Sequence, residues 1–240
     1  RYENTSTRKG YKINYGAGFV YSKYSNETYL KQPFGDSTRV IDYESFLELY
    51  SWSAFGQVSK SYFKNKLSLS LGLRMDANNY SESMSNLLNQ FSPRFSASYL
   101  LRENLSLNFN TGRFYQQPAY TTLGYRNSAG ELVNKQNDLE YISADHVVAG
   151  LEFNPSNTSK ISLEGFYKNY NDYPFSVKDS VSLANKGADF GTYGDEEVVS
   201  TGQGRAYGFE VLARDKDLKG FNIILSYTYV RSEFKDVDGE

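Results

Sequence analysis

Few residues in this chain are equipped for bond-making chemistry. His146 is the single histidine, it follows Asp145, and cysteine is absent. Nucleophilic hydrolysis needs a serine, an imidazole and an acidic or amide orienter in mutual contact. One histidine at an aromatic-rich strand start reads instead as a structural residue. A single imidazole and no thiolate exclude a multi-histidine or thiolate metal site, so neither a catalytic centre, nor a metal, nor a cofactor is expected. The acidic run Asp195-Glu196-Glu197 has the oxygen donors that a cation such as calcium prefers, yet it reads first as a solvated loop. Gly16-Ala17-Gly18 and Gly202-Gln203-Gly204 have no helix after them, which removes phosphate binding and leaves bulges or close backbone approach.

Ligand recognition is a better fit, at two places. Arg113, Tyr115, Gln116, Gln117, Tyr120, Tyr125 and Arg126 crowd one strand-to-loop junction, and Tyr170, Asp172 and Tyr173 begin another. Aromatic faces beside fixed amide and guanidinium donors suit sugars, chelates or peptides. The plainer reading of the same residues is an aromatic belt with loop packing.

The elements that must hold these groups are strands. From Leu67 to Asp76, Leu67, Leu69, Leu71 and Leu73 alternate with Ser, Gly and Arg, and Phe91–Tyr99 and Leu105–Gly112 repeat the period of two. Strands are expected near 11–24, 43–60, 66–80, 91–101, 105–115, 143–154, 160–170, 204–214 and 221–234, about nine in all. The second is the least regular, because Leu47, Leu49 and Phe55 have the opposite parity to Phe46, Trp52, Ala54 and Val58. Their lengths exceed the five or six residues common in soluble sheets and reach the roughly 9–11 that cross a bilayer.

Connections alternate in length. Short ones fall at Tyr62–Asn65, Arg102–Asn104, Pro155–Ser159 and Asp215–Lys219, and long ones at Ser25–Asp42, Ser81–Gln90, Gln116–Ile142 and Asn171–Gln203. Antiparallel up-and-down strands crossing a membrane produce this order, with tight turns on one side and long loops on the other. The all-β class expected is therefore a transmembrane β-barrel. With the leucine rows and Phe95, Ala97 and Phe109 facing lipid, Arg74, Asp76, Arg94, Asn108, Asn110, Glu164 and Glu210 face the lumen. The reverse register would put each midplane Lys or Arg into hydrocarbon at about 2–4 kcal/mol.

The 22 Tyr and 16 Phe collect at strand ends, among them Tyr24, Tyr43, Tyr62, Phe63, Tyr80, Tyr141 and Phe153, where headgroup-level aromatic girdles would place them. With 26 Lys plus Arg against 28 Asp plus Glu, the balance excludes general nucleic-acid binding, which needs a basic surface. An odd strand count argues for a section of a larger closed sheet. Arg1-Tyr2-Glu3-Asn4 reads as the tail of a preceding strand and Thr5–Gly10 as a short turn.

Several of these segments resemble the barrel of TonB-dependent outer-membrane receptors of the Bacteroidetes type. Leu67–Asp76 with Asn79-Tyr80 is similar to that family's leucine-alternating Gly-x-Arg-x-Asp strand. Phe91-Ser92-Pro93-Arg94 through Gly112-Arg113-Phe114-Tyr115-Gln116-Gln117-Pro118 resembles its most recognisable hairpin. Ser143–Phe153 with Leu163–Lys168, and Gly204-Arg205-Ala206-Tyr207-Gly208-Phe209-Glu210, are similar to the strands that follow. The resemblance implies a barrel of about 22 strands in the bacterial outer membrane, with residues 1–240 a section of that one domain. A plug domain and the remaining barrel would lie outside it. It further implies active import of a scarce ligand (a siderophore, glycan, peptide or cofactor), with outer-membrane lipid, the receptor's own plug and the TonB complex as partners, and no enzymatic activity. The competing functions are a passive outer-membrane porin and a β-rich surface adhesion or interaction module.

Overall fold

The computed structural model describes residues 1–34, 37–186 and 196–236, with the backbone alone at 28, 30, 32, 34, 37, 39, 41 and 43. Among the described residues, ten strands form one antiparallel sheet whose spatial order is the chain order. They are β1 (Tyr2–Arg8), β2 (Tyr11–Phe34), β3 (Ser37–Tyr62), β4 (Leu67–Asn78), β5 (Ser92–Arg102), β6 (Leu105–Gln116), β7 (Ile142–Phe153), β8 (Ser159–Ser176), β9 (Val198–Leu218) and β10 (Phe221–Phe234). Every neighbour is joined by an up-and-down hairpin, as expected for a section of a transmembrane barrel.

The extra strand is β1. Residues expected as a turn from Thr5 onward stay paired, Arg8 lying opposite Tyr11. Only Lys9 and Gly10 turn, at φ +50° and +77°. Lys219-Gly220 repeats this geometry at φ +52° and +87°. Two-residue turns with both residues left-handed match the right-handed strand twist, and glycine adopts the second position without a Cβ penalty.

The long-loop end also departs from expectation. Much of Ser25–Asp42 is ladder, because β2 and β3 stay in register from Tyr11↔Lys60 to Phe34↔Ser37. Since β4 pairs with β3 only from Ser51 onward, the upper part of this hairpin projects past its neighbours as an arm. β8 likewise runs on to Ser176 and pairs with Val198–Ser200, inside a segment expected as loop. An arm wet on both faces needs no apolar alternation, so its pairing leaves no period-two trace in the sequence.

Register fixes the two faces, because directly opposed residues of an antiparallel pair point the same way. Ile13, Val58, Leu71, Phe95, Thr111, Val147, Tyr167 and Tyr207 form one continuous row across eight strands. Leu71 is 54% exposed and Leu163 48% exposed. Apolar rows this bare are the lipid-facing side of a membrane sheet. The opposite face carries Gln57, Ser59, Ser70, Ser96 and Asn110, and a groove of about 500 Å³ runs along it from Lys12 on β2 to Glu164 on β8. A groove shared by so many strands makes the polar face the concave one. No helix among the described residues is long and apolar enough to cross a membrane.

Candidate functional site

At the long-loop end, the connections fold back together over the concave face. Three single helical turns, α1 (Glu82–Ser85), α2 (Tyr120–Leu123) and α3 (Val133–Gln136), and a 3₁₀ turn at Leu183–Asn185 build a cap. Its core is Tyr80, Met84, Leu123, Leu139, Tyr141 and Val198, set against Leu47 and Leu49 of β3. The cap thereby explains Leu47 and Leu49 in the parity conflict of β3, while Phe55 lies on the polar face opposite Gly16 and Arg74, outside the cap core. Below, Val58 faces hydrocarbon; above the membrane the outside is water, and the apolar parity moves inward to meet the cap. The same reversal corrects the aromatic assignment. Tyr80 and Tyr141 are buried in the cap instead of forming a girdle, and Tyr24 packs against the cap core and stacks on Tyr120 at 5.6 Å. The Tyr43 side chain lies outside the described residues, whereas Phe63 is 72% exposed at a short turn.

Two asparagines clamp the cap. Asn134 is fully buried; its Nδ2 donates to Thr122 O at 2.7 Å and Glu196 O at 3.3 Å, and its Oδ1 accepts from Val198 N at 2.9 Å. Asn78, at the upper end of β4, donates to Tyr141 Oη at 3.0 Å and Gln117 Oε1 at 3.2 Å. Tyr80 Oη donates to Leu123 O at 2.7 Å. Each link satisfies a buried polar group that would otherwise be costly. Burial pushes the Tyr141 phenol up to about 12, with the Asn78 hydrogen bond acting the other way; the hydroxyl stays neutral. Burial also raises Asp138, yet hydrogen bonds from Ser83 Oγ at 2.6 Å and Ser83 N at 3.0 Å outweigh it and hold the carboxyl below its usual range. Burial, reinforced by the charges of Asp172 and Asp138, pushes the Glu140 carboxyl up.

Most of the candidate ligand contacts are engaged within the protein. The Arg113 guanidinium makes two hydrogen bonds to Asp145, both at 2.7 Å. Arg113 shares the parity of Leu107 and Phe109 in β6, which puts it on the outer face. Period two simply continues to the strand's end. Tyr115 packs against the cap core and Gln117 is held by Asn78. Gln116 is exposed where β6 ends, and Tyr125 is half-buried. Tyr170 stacks on Phe234 at 5.7 Å, Tyr173 meets the same ring edge-on at 4.9 Å, and Asp172 accepts from Ser143 Oγ at 2.8 Å. Tyr120 keeps an exposed edge at 37%. Arg126 donates to Gly130 O at 2.8 Å and Phe46 O at 3.2 Å, and borders a groove of about 570 Å³ with Ser25, Asn26, Glu27 and Glu44.

All the residues expected at the lumen lie on the polar face. Arg74 is tied to Asp76 through two hydrogen bonds of 2.7 and 2.6 Å. Asn108, Glu164 and Glu210 lie in one row, Asn110 in the next. Arg94 belongs to a basic row with His146 and Lys168, reached through Gly112. Its guanidinium lies 4.4 Å from the Phe114 ring centroid, and His146 is 4.6 Å from the same ring. These groups line a cavity of about 330 Å³ with Gln57 and Asn110.

The remaining sequence candidates resolve simply. Gly202 fits close approach, since a Cβ there would come within 2.6 Å of Tyr173 O. Asp195 lies outside the described residues. Glu196 pairs with Lys186 and accepts from Ser176 Oγ at 2.6 Å, and Glu197 accepts from Asn137 at 3.0 Å. No group of three or more metal-ligating side chains occurs among the described residues. Asn134 and Asn78 escaped sequence reasoning, because a loop asparagine carries no pattern that separates a buried clamp from a solvated turn.

The family model described as TonB dependent receptor-like, beta-barrel, matches residues 1–240. Among solved structures, the FrpB iron transporter from Neisseria meningitidis superposes with TM-score 0.63 at 12% identity, over 98% of this chain and 35% of that one. The pyoverdine outer membrane receptor FpvA from Pseudomonas aeruginosa gives 0.64 at 15%, over 99% and 35%. The siderophore receptor PirA from the same species gives 0.63 at 14%, over 98% and 42%. At such identities the likeness is one of fold, and the chain spans well under half of each of these proteins. No curated protein matches the chain.

Proposed function

This chain belongs to the TonB-dependent receptor-like β-barrel family, and from that premise we propose that the complete protein is a receptor importing a scarce ligand by TonB-dependent active transport. The family's barrels are receptors and transporters of the bacterial outer membrane, and the sheet described here is part of such a barrel. In this reading a plug fills the lumen against the polar face, and energy reaches it through the TonB complex. The observation that carries the proposal is the cap. Loops that bury a shared apolar core over one mouth make a shaped entrance, which a ligand-selective receptor needs and an unselective pore does not.

The cations Arg94 and Lys168, in one row with His146 between them, favour an anionic ligand, and a metal chelate of the siderophore class has that charge. Neighbouring structures described as an iron transporter and a siderophore receptor support the same class. Tyr120, Tyr125 and Arg126 are the proposed outer contacts, with Gln116 beside them. Arg113, Tyr115, Gln117, Tyr170, Asp172 and Tyr173 act in this scheme by holding the loops in shape.

The test is uptake of radiolabelled ferric chelates by cells carrying the full-length receptor, with and without a functional TonB. Saturable, TonB-dependent uptake is expected, together with near-zero conductance of the purified protein in planar bilayers. A large constitutive conductance would mark a porin. Adhesion to a surface with no uptake of any small ligand would mark an adhesin.

A further inference from the structure

We propose that the short-turn corner of β1–β4 is a docking surface for the headgroups of anionic phospholipids. Because β2 pairs with both β1 and β3, the turns at Lys9-Gly10 and Phe63-Lys64-Asn65 sit side by side. This brings Arg8, Lys9, Lys60, Lys64 and Lys66 together, and segments 5–14 and 56–73 contain no Asp or Glu. None of the five cations is in an ion pair among the described residues. The other short turns are self-neutralising. Glu103 follows Arg102, Glu152 holds Lys160 at 2.5 Å, and Asp215 and Asp217 flank Lys216.

Lys60 shows that the partner is a membrane surface. It lies on the lipid-facing side, directly opposite Tyr11 and Leu69. A cation there is tolerable only if its stem lies along apolar surface while the head reaches polar headgroups. Its Nζ sits 4.0 Å from the Tyr11 ring centroid and 5.3 Å from that of Tyr62, so Lys60 marks the edge of the hydrocarbon. Below it, Phe63 projects 72% exposed, an aromatic at headgroup level. Uncompensated positive charge ringing an apolar, aromatic-edged face complements phosphodiester headgroups with a net negative charge. Lys12 is held within the ladder, between Thr7 and Ser59, and is set apart from the turn-end cations.

The test uses the full-length receptor in neutral detergent, titrated separately with phosphatidylglycerol, phosphatidylcholine and inorganic phosphate, with bound lipid counted by native mass spectrometry. Phosphatidylglycerol is expected to bind in preference to phosphatidylcholine, and to be released as salt rises from about 0.05 to 0.5 M. Each cation near an anionic surface contributes about fivefold in affinity, so replacing four after screening should cost on the order of a hundredfold. The variant is Arg8→Gln, Lys9→Gln, Lys64→Gln and Lys66→Gln together, all exposed turn-end positions, with folding verified by heat-modifiable gel mobility. Lys216→Gln with Lys219→Gln should leave binding unchanged. Equal binding of the two lipids, an equal loss in the control pair, or displacement of lipid by millimolar inorganic phosphate would each overturn the proposal.

Discussion

Replacing Leu71 by arginine tests the face assignment directly. Leu71 lies midway along β4, opposite Val58 on one side and Phe95 on the other, and over half of it is uncovered by protein. In the membrane that uncovered surface meets hydrocarbon. An arginine near the bilayer midplane of a barrel costs about 2–4 kcal/mol, and the central position of Leu71 places it in the upper half of that range. At about 1.36 kcal/mol per tenfold, the folding equilibrium should fall by a few hundredfold. Ser70, one residue away, faces the groove. It accepts from Gln57 Nε2 and Ser59 Oγ, each at 2.9 Å, and losing these should cost about 1 kcal/mol. The assay is refolding of the complete barrel from urea into phosphatidylcholine vesicles, with the folded fraction read by gel mobility. Leu71→Arg should shift the midpoint far more than Ser70→Arg. Equal shifts, or a larger one for Ser70→Arg, would refute the reasoning.

Asn134→Ala should loosen the cap by about 2–4 kcal/mol, since three backbone groups lose their buried partner. Hydrogen exchange should speed up in 117–141 and 177–186 and leave the β4–β7 ladder unchanged. Asp138, with its pKa held below the ordinary value of 3.8, stabilises the cap above that pH and loses its contribution as pH falls through the lowered value. Exchange corrected for intrinsic rate should show the cap loosening progressively as pH falls below about 4, and less so in Asp138→Asn. Glu140 behaves oppositely, because a carboxyl pushed above its ordinary value of 4.5 opposes folding once ionised. Glu140→Gln should therefore slow exchange in the cap at pH 7 and remove the loss of protection that wild type shows as pH rises through that range.

The membrane-crossing strands were readable because lipid on one face and water on the other force every second side chain to be apolar. Leu67, Leu69, Leu71 and Leu73 leave no other register open. The same argument marked Arg74, Asp76, Arg94 and Glu164 as belonging to the opposite face. Even the irregularity in β3 was visible, as Leu47 and Leu49 falling out of step.

What the amino-acid order alone determined was thus the wall: its strand type, its two faces, and which connections are short. The tertiary structure decided what lies above the wall. There both faces of a hairpin are wet, so the pairing in the β2–β3 arm, and that of Tyr173–Ser176 with Val198–Gly202, carries no alternation to read. Apolar side chains can turn inward only once a cap exists to receive them. Whether Tyr80 and Tyr141 sit in a girdle or a core, and whether Asn134 clamps two loops or meets solvent, depends on contacts between residues 39 to 64 positions apart. Local periodicity reports the solvent on each side of a strand, and it has no access to partners brought together only when distant loops fold onto one another.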